Sequence, residues 1–87
     1  MIRVSIPSQL QGYCGGASRL EAKGATVDEV LRDLDARFIG LRFRMVDEQD
    51  RIRRHVRLFV GSEEVRDVAL PLEPGAELMI FGALSGG

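Results

Sequence analysis

One segment of the chain has the repeat of an amphipathic helix, and it limits the fold more than any other feature. Between residues 27 and 38, apolar residues recur at spacings of three and four, which places them on one side of a helix. Thr26 and Glu29 form a capping box at its start, and Gly40 follows its end. One helix of this length covers only one face of a sheet. The apolar stripe consists of Val27, Val30, Leu31, Leu34 and Phe38.

Segments that alternate between apolar and polar residues flank this helix and predict β-strands. This order of elements predicts an α+β fold, in which the helix packs on one face of a mixed four- or five-stranded sheet. The first and last strands have the most aliphatic inward faces, so we expect them side by side and parallel at the centre. The predicted strands lie at residues 2–6, 18–22, 55–60 and 77–81, with a short extended arm at 64–66.

The connections between these elements carry further structural expectations. Residues 8–16 are rich in glycine and predict a wide hairpin loop. Residues 41–46 predict a short packed turn that includes Phe43, and residues 47–54 predict a polar connection. We expect a folded domain over residues 1–81 and a flexible tail at residues 82–87.

Composition favours a binding or carrier role over catalysis, because 87 residues provide one small core and little room for an enclosed active site. Twelve basic and thirteen acidic residues argue against binding to nucleic-acid phosphates. The single cysteine, Cys14, excludes an internal disulfide, and no apolar stretch is long enough to span a membrane. We therefore expect a cytoplasmic protein that binds neither nucleic acid nor membrane.

Residues that usually carry catalysis or bind metals are scarce. His55 is the only histidine, and it stands alone at the start of a predicted strand. Cys14 has no neighbouring His or second Cys, so an incidental loop residue is a better interpretation than a reactive thiol. Together they supply at most two ligands, too few for a metal site. We expect no catalytic residue and no metal in this chain.

Charge is unevenly distributed along the second half of the chain. Residues 42–57 contain six arginines and three acidic residues, whereas residues 58–87 contain one arginine and five acidic residues. Two regions of opposite sign could orient docking on a partner. The alternative, which we favour from the sequence alone, is a solvated loop beside a solvated edge.

The chain ends in Gly86 and Gly87, directly after the last predicted strand. One hypothesis is that the α-carboxylate of Gly87 is the reactive group, because residues without a Cβ can enter a narrow cleft. A carboxylate is a poor electrophile and needs conversion to an acyl donor, such as a mixed anhydride with AMP. A six-residue tail from Gly82 reaches about 20 Å when extended, enough to enter a partner's active site. A frayed or truncated end is the alternative.

Three large side chains are expected on the sheet face away from the helix: Phe59, Met79 and Phe81. Leu84 follows just beyond them in the tail. An aromatic and methionine cluster beside a reactive tail would suit partner docking, although such residues also pack under loops in small domains. Arg3 and Arg57 share this face and could form a polar rim.

The order and spacing of several short motifs resemble the MoaD/ThiS/CysO family of ubiquitin-like sulfur carriers, which have the β-grasp fold. The family includes the small subunit of molybdopterin synthase and the thiamin sulfur carrier, and its cysteine-biosynthesis carriers, the CysO type, are the most similar. The resemblance covers essentially the whole chain. It rests on residues 4–7, Gly15 and Gly16, the helix start at Thr26, residues 56–60 and 64–66, and Gly86 and Gly87.

The resemblance implies a carrier that other enzymes act upon. A ubiquitin-activating-enzyme-like adenylyltransferase of the MoeB/ThiF type would use MgATP to adenylate Gly87, and sulfur would then replace AMP to give a thiocarboxylate. The carrier would donate sulfur to a biosynthetic enzyme such as a cysteine synthase; molybdopterin, thiamin and secondary-metabolite pathways stay open. MgATP would belong to the activating enzyme, and Phe59, Met79 and Phe81 match the docking face of β-grasp relatives.

Two other functions remain alternatives to a sulfur carrier. The chain could be a ubiquitin-like modifier that is joined to lysines through Gly87. It could also be a non-covalent small subunit or binding domain whose glycine tail is incidental.

Overall fold

A computed structural model describes residues 1–82 of the chain. A single-turn 3-10 helix, Gly12–Cys14, directly follows the first of three α-helices. The helices are α1 (Ser8–Gln11), α2 (Val27–Arg37) and α3 (Leu41–Met45). The strands are β1 (Ile2–Ser5), β2 (Arg19–Ala22), β3 (Val56–Val60), β4 (Glu63–Glu64) and β5 (Glu77–Gly82).

The five strands form one mixed sheet in the order β2-β1-β5-β3-β4. The first and last strands lie side by side and parallel, with Val4 opposite Leu78, and every other pairing is antiparallel. The predicted adjacency of these two strands and the predicted α+β layers are therefore confirmed. Strand β5 extends one residue beyond its predicted end, to Gly82.

Helix α2 lies on the inward face of the sheet, as its stripe predicts. Four residues of the stripe are fully buried, and Phe38 is half-buried at the helix end. The Thr26 Oγ1 accepts a hydrogen bond from the Glu29 amide at 3.2 Å. The Glu29 carboxylate accepts from the Ala25 amide at 2.8 Å, so the reciprocal half of the capping box falls one residue earlier than the motif predicts.

The prediction of a loop over residues 8–16 is wrong, because α1 and the 3-10 helix occupy most of it. Leu10 and Cys14 are four residues apart and both are buried in the core. Burying these two side chains offsets the low helix propensity of Gly12. Cys14 is therefore a core residue and not an incidental loop residue, and burial raises the pKa of its thiol. Gly15 ends this segment in the left-handed region, at φ 64°.

The predicted packed turn at residues 41–46 is helix α3. Leu41, Met45 and Val46 are fully buried, but Phe43, which was expected to pack inside, is 55% exposed. Phe43 projects away from the core because its neighbours at positions 41 and 45, one helical turn apart, already occupy the inward side of this short helix. Among the described residues, no helix is long and apolar enough to cross a bilayer.

Candidate functional site

The outward face of the sheet carries an aromatic cluster where β3 and β5 pair. Phe59 lies directly opposite Met79 in this antiparallel register. The rings of Phe59 and Phe81 meet edge to face, with centroids 5.6 Å apart. Phe81 is 50% exposed, while Phe59 and Met79 are half-buried. Phe81 is therefore available to a partner, and no loop of the described residues covers it completely.

Charged residues border this cluster on both sides. Arg57 lies opposite Phe81, and its Nη1 is 3.2 Å from the Glu64 carboxylate. Glu64 also pairs with Arg66 at 3.3 Å. On the other side, Arg3 lies beside Glu77 on β5. An apolar centre with a polar rim is the usual composition of a protein–protein contact surface.

The last described residue, Gly82, is held from two directions. Val56 on β3 is its strand partner, and the Nε2 of Gln9 on α1 donates a hydrogen bond of 2.8 Å to its carbonyl oxygen. Helix α1 thus helps to hold the last described residue of β5. Gln9 was not singled out from the sequence; the four-residue spacing of Leu10 and Cys14 was the available sign of a helix here.

The predicted reactive residues lie beyond this point. Leu84, Gly86 and Gly87 are outside the described residues, so their roles stay predictions, as does the boundary between the domain and the tail. Gly82 fixes where that segment begins. It starts at the end of the central strand, close to the aromatic cluster formed by Phe59, Met79 and Phe81.

The arginines of residues 42–57 fall into two groups. Arg42 is only 13% exposed and bridges Asp28 at 2.6 Å and Asp50 at 2.9 Å. Partial burial acts to raise the pKa of Asp28, but hydrogen bonds and charge from Arg32 and Arg42 outweigh it and hold that pKa below its usual value. This network joins α2 to α3 and is structural.

The second group comprises the arginines without a neighbouring carboxylate. Within residues 1–82, no ion pair is made by Arg44, Arg53 or Arg54. The other two arginines are outside this group, since Arg51 pairs with Asp47 and Arg57 pairs with Glu64. The excess positive charge seen in the sequence is therefore concentrated at these three positions. His55, beside them, is exposed, and no group of three or more potential metal ligands occurs in the described part of the chain.

The chain is similar in sequence to a curated protein over its full length. The sulfur carrier protein CysO of Mycobacterium tuberculosis is 32% identical over 91 residues, an alignment that covers 99% of this chain and 98% of CysO. The crystal structure of CysO from this organism matches with a TM-score of 0.90 at 30% identity, covering 97% of this chain and 100% of the other. No family model matches the chain.

Two further solved structures share the architecture. A chain of the Amycolatopsis orientalis BexX/CysO complex has a TM-score of 0.91 and 36% identity, with all of both chains covered. The small archaeal modifier protein SAMP1 from Methanosarcina acetivorans has a TM-score of 0.81, covering 99% of this chain and 95% of SAMP1, but only 19% identity, so it shows the fold alone. The ubiquitin-like β-grasp fold expected from the sequence is confirmed.

Proposed function

The chain belongs to the family of CysO-type sulfur carrier proteins, and we propose that it carries sulfur as a thiocarboxylate on the α-carboxyl group of Gly87. The single observation that carries this proposal is the full-length similarity to CysO. The Gly86–Gly87 sequence, four and five residues after Gly82, supports it.

The chemistry at Gly87 needs two steps, both performed by partner enzymes. A carboxyl terminus has a pKa near 3.5 and is an unreactive anion at neutral pH. In the first step its oxygen attacks the α-phosphorus of ATP, pyrophosphate leaves and an acyl adenylate forms. In the second, a sulfur nucleophile attacks the acyl carbon and AMP leaves. An adenylyltransferase of the MoeB/ThiF type would bind the MgATP, so this chain needs no cofactor of its own.

The domain's part in this chemistry is presentation, as for a carrier and not an enzyme. Five residues beyond Gly82 span at most about 17 Å, sufficient to reach a reactive centre inside a partner. Phe59, Met79 and Phe81 would dock the domain at the entrance, with Leu84 extending the same apolar surface. Gly86 and Gly87 would then occupy the narrow part of the cleft because they lack a Cβ.

We propose a cysteine synthase as the enzyme that accepts the sulfur. The similarity to CysO proteins supports this recipient over the molybdopterin and thiamin pathways. The Amycolatopsis orientalis CysO occurs in a complex with BexX, which supports direct docking of a CysO-type protein on a partner. We place the protein in the cytoplasm, where MgATP is available and thiols stay reduced.

Intact-protein mass spectrometry tests the proposal. The chain is incubated with the adenylyltransferase from the same organism, MgATP and a sulfide donor. We expect one oxygen at Gly87 to be replaced by sulfur, and we expect no change for a variant that lacks Gly87. An unmodified mass under conditions that convert a known carrier would contradict the proposal.

A second experiment, on cell extracts, separates the carrier from the modifier. A ubiquitin-like modifier predicts conjugates of higher mass in cell extracts, joined through Gly87 to lysines of other proteins. The likeness to SAMP1 extends to the fold alone and supports this function no further. Thiocarboxylate formation without such conjugates distinguishes the two.

A further inference from the structure

Two contacts hold the last described residue of β5. Gln9 and Val56 hold Gly82, as described above. Since β3 and β5 are antiparallel and Val56 is the partner of Gly82, His55, which precedes Val56, lies at the same end of the sheet as Gly82. The segment 53–55 therefore lies at the same end of the sheet as the start of the C-terminal segment.

Two arginines at this end are fixed by stacking on aromatic rings. The Arg44 Cζ lies 4.4 Å from the centroid of the Tyr13 ring, and the Arg53 Cζ lies 4.4 Å from the centroid of the Phe43 ring. The Arg53 Nε also donates a hydrogen bond of 2.7 Å to the Phe43 carbonyl oxygen. Tyr13 belongs to the 3-10 helix, so one stack links that helix to α3 and the other links α3 to the segment before β3.

These guanidinium groups surround a small cleft. Its volume is about 250 Å³, and Phe43, Arg44, Arg53 and His55 line it. Every described lining residue is basic or aromatic, and neither arginine makes an ion pair within residues 1–82. Arg42, the residue before Phe43, differs from them because it is paired with two carboxylates, those of Asp28 and Asp50.

Stacking determines what such arginines can bind. A guanidinium that rests on an aromatic ring uses its π-face and keeps in-plane N–H groups for hydrogen bonds. Those groups form a planar fork that matches the two oxygens of a carboxylate. Because the rings and the Arg53–Phe43 hydrogen bond already restrict the side chains, little rotamer entropy is lost on binding.

We propose that the cleft formed by Phe43, Arg44, Arg53 and His55 binds carboxylate side chains on the adenylyltransferase that receives the C-terminal segment. This inference rests on the proposed carrier function. An enzyme that takes up the segment must face this end of the domain, because the segment begins there. The enzyme's rim then lies against the cleft, and acidic residues on that rim complement its uncompensated charge. Exposed Phe43 adds apolar contact area next to the arginines.

Adenylation kinetics test this proposal on the full chain. The KM of the adenylyltransferase for the carrier is measured for wild type, Arg44→Ala and Arg53→Ala at low and high salt. We expect each substitution to raise KM by about fivefold to tenfold at low salt and to weaken its salt dependence. We expect kcat to stay within about twofold, because Gly87 is unchanged and each lost contact is remote from the reacting carbonyl.

Lys23→Ala is the matched control, because it removes one exposed positive charge from the loop between β2 and α2. We expect its KM to change by less than about twofold. Arg44→Lys and Arg53→Lys keep the charge but lose the fork, so we expect partial recovery of KM. Thermal unfolding of each variant checks that the fold is kept.

The outcomes separate the two proposals. If wild type is adenylated and both arginine variants match Lys23→Ala in KM, the docking inference is wrong while the carrier function stands. If wild type is never adenylated, both are wrong. Inorganic phosphate is titrated at constant ionic strength and followed by amide NMR. Saturable shifts centred on Arg44, Arg53 and His55, together with arginine variants that match Lys23→Ala in KM, would instead assign the cleft to free phosphate and overturn the proposal.

Discussion

At the scale of single residues, Gly24 lies where the chain passes closely against helix α2. A Cβ at this position would lie 2.7 Å from the Val30 amide nitrogen and 2.9 Å from backbone and Cβ atoms of Glu29. These atoms belong to the first turns of α2 and cannot move without disturbing the helix. We therefore expect Gly24→Ala to lower the free energy of unfolding by about 1–3 kcal/mol, measured by urea denaturation.

Gly12→Ala is the matched control for Gly24→Ala. A Cβ at Gly12 meets no other atom within 4 Å, and its φ of −61° suits any residue. Because alanine restricts the unfolded chain more than glycine does, we expect Gly12→Ala to stabilise the protein by about 0.4–1 kcal/mol. Equal effects at the two positions would show that close packing at Gly24 is not the cause.

At the scale of elements, the Asp28 carboxylate connects α2 to α3 through Arg42. We expect Asp28→Asn to destabilise the protein by about 1.5–3 kcal/mol at pH 7, because Arg42 is almost buried and loses a charged acceptor. The pKa of Asp28 is lower in the folded state than the unfolded value of about 3.9. The stability that ionised Asp28 contributes is therefore fully present when the pH is above the unfolded pKa. It is lost as the pH falls through the lower pKa of the folded state.

Urea denaturation between pH 7 and pH 2 measures this dependence. The difference in unfolding free energy between wild type and Asp28→Asn should shrink as pH falls below about 4. Asp33→Asn serves as the control, since it alters an exposed pair with Arg37 that we expect to contribute about 0.5 kcal/mol or less. A difference that stays constant down to pH 2 would contradict an ionised Asp28 as the source.

The same elements show how far the sequence alone could predict this structure. Period-2 and helical patterns are local, so they predicted α2 and four of the five strands. The short arm predicted at residues 64–66 is strand β4 at Glu63–Glu64 instead. Helix α1 was missed because its glycine-rich surroundings hide the spacing of Leu10 and Cys14. The Asp28–Arg42 bridge joins residues 14 apart, and the Gln9–Gly82 hydrogen bond joins residues 73 apart. Neither leaves a periodic signal, and the arginine cleft depends on contacts of the same non-local kind.

At the scale of the whole molecule, alternate residues of β5 serve two different purposes. Leu78 and Ile80 face α2 and are buried, whereas Met79 and Phe81 face outward. A domain of this size has one core, so a binding surface on the same strand must use the face that the core does not need. Substitutions of the inward residues of β5 should therefore mainly lower stability, and substitutions of the outward residues should mainly weaken partner binding.

Leu78→Ala and Phe81→Ala test this separation. We expect Leu78→Ala to cost about 2–5 kcal/mol of stability, because it leaves a cavity beneath α2. We expect Phe81→Ala to cost about 0.5–1.5 kcal/mol, the value of its edge-to-face contact with Phe59, yet to raise the KM of the adenylyltransferase about tenfold or more. Ile39→Ala removes a 92% exposed side chain from the α2–α3 connection and should change neither quantity. If Phe81→Ala left KM unchanged, the docking role of the outward face would be wrong. If Leu78→Ala and Phe81→Ala destabilised the protein equally, the outward face would contribute to the core.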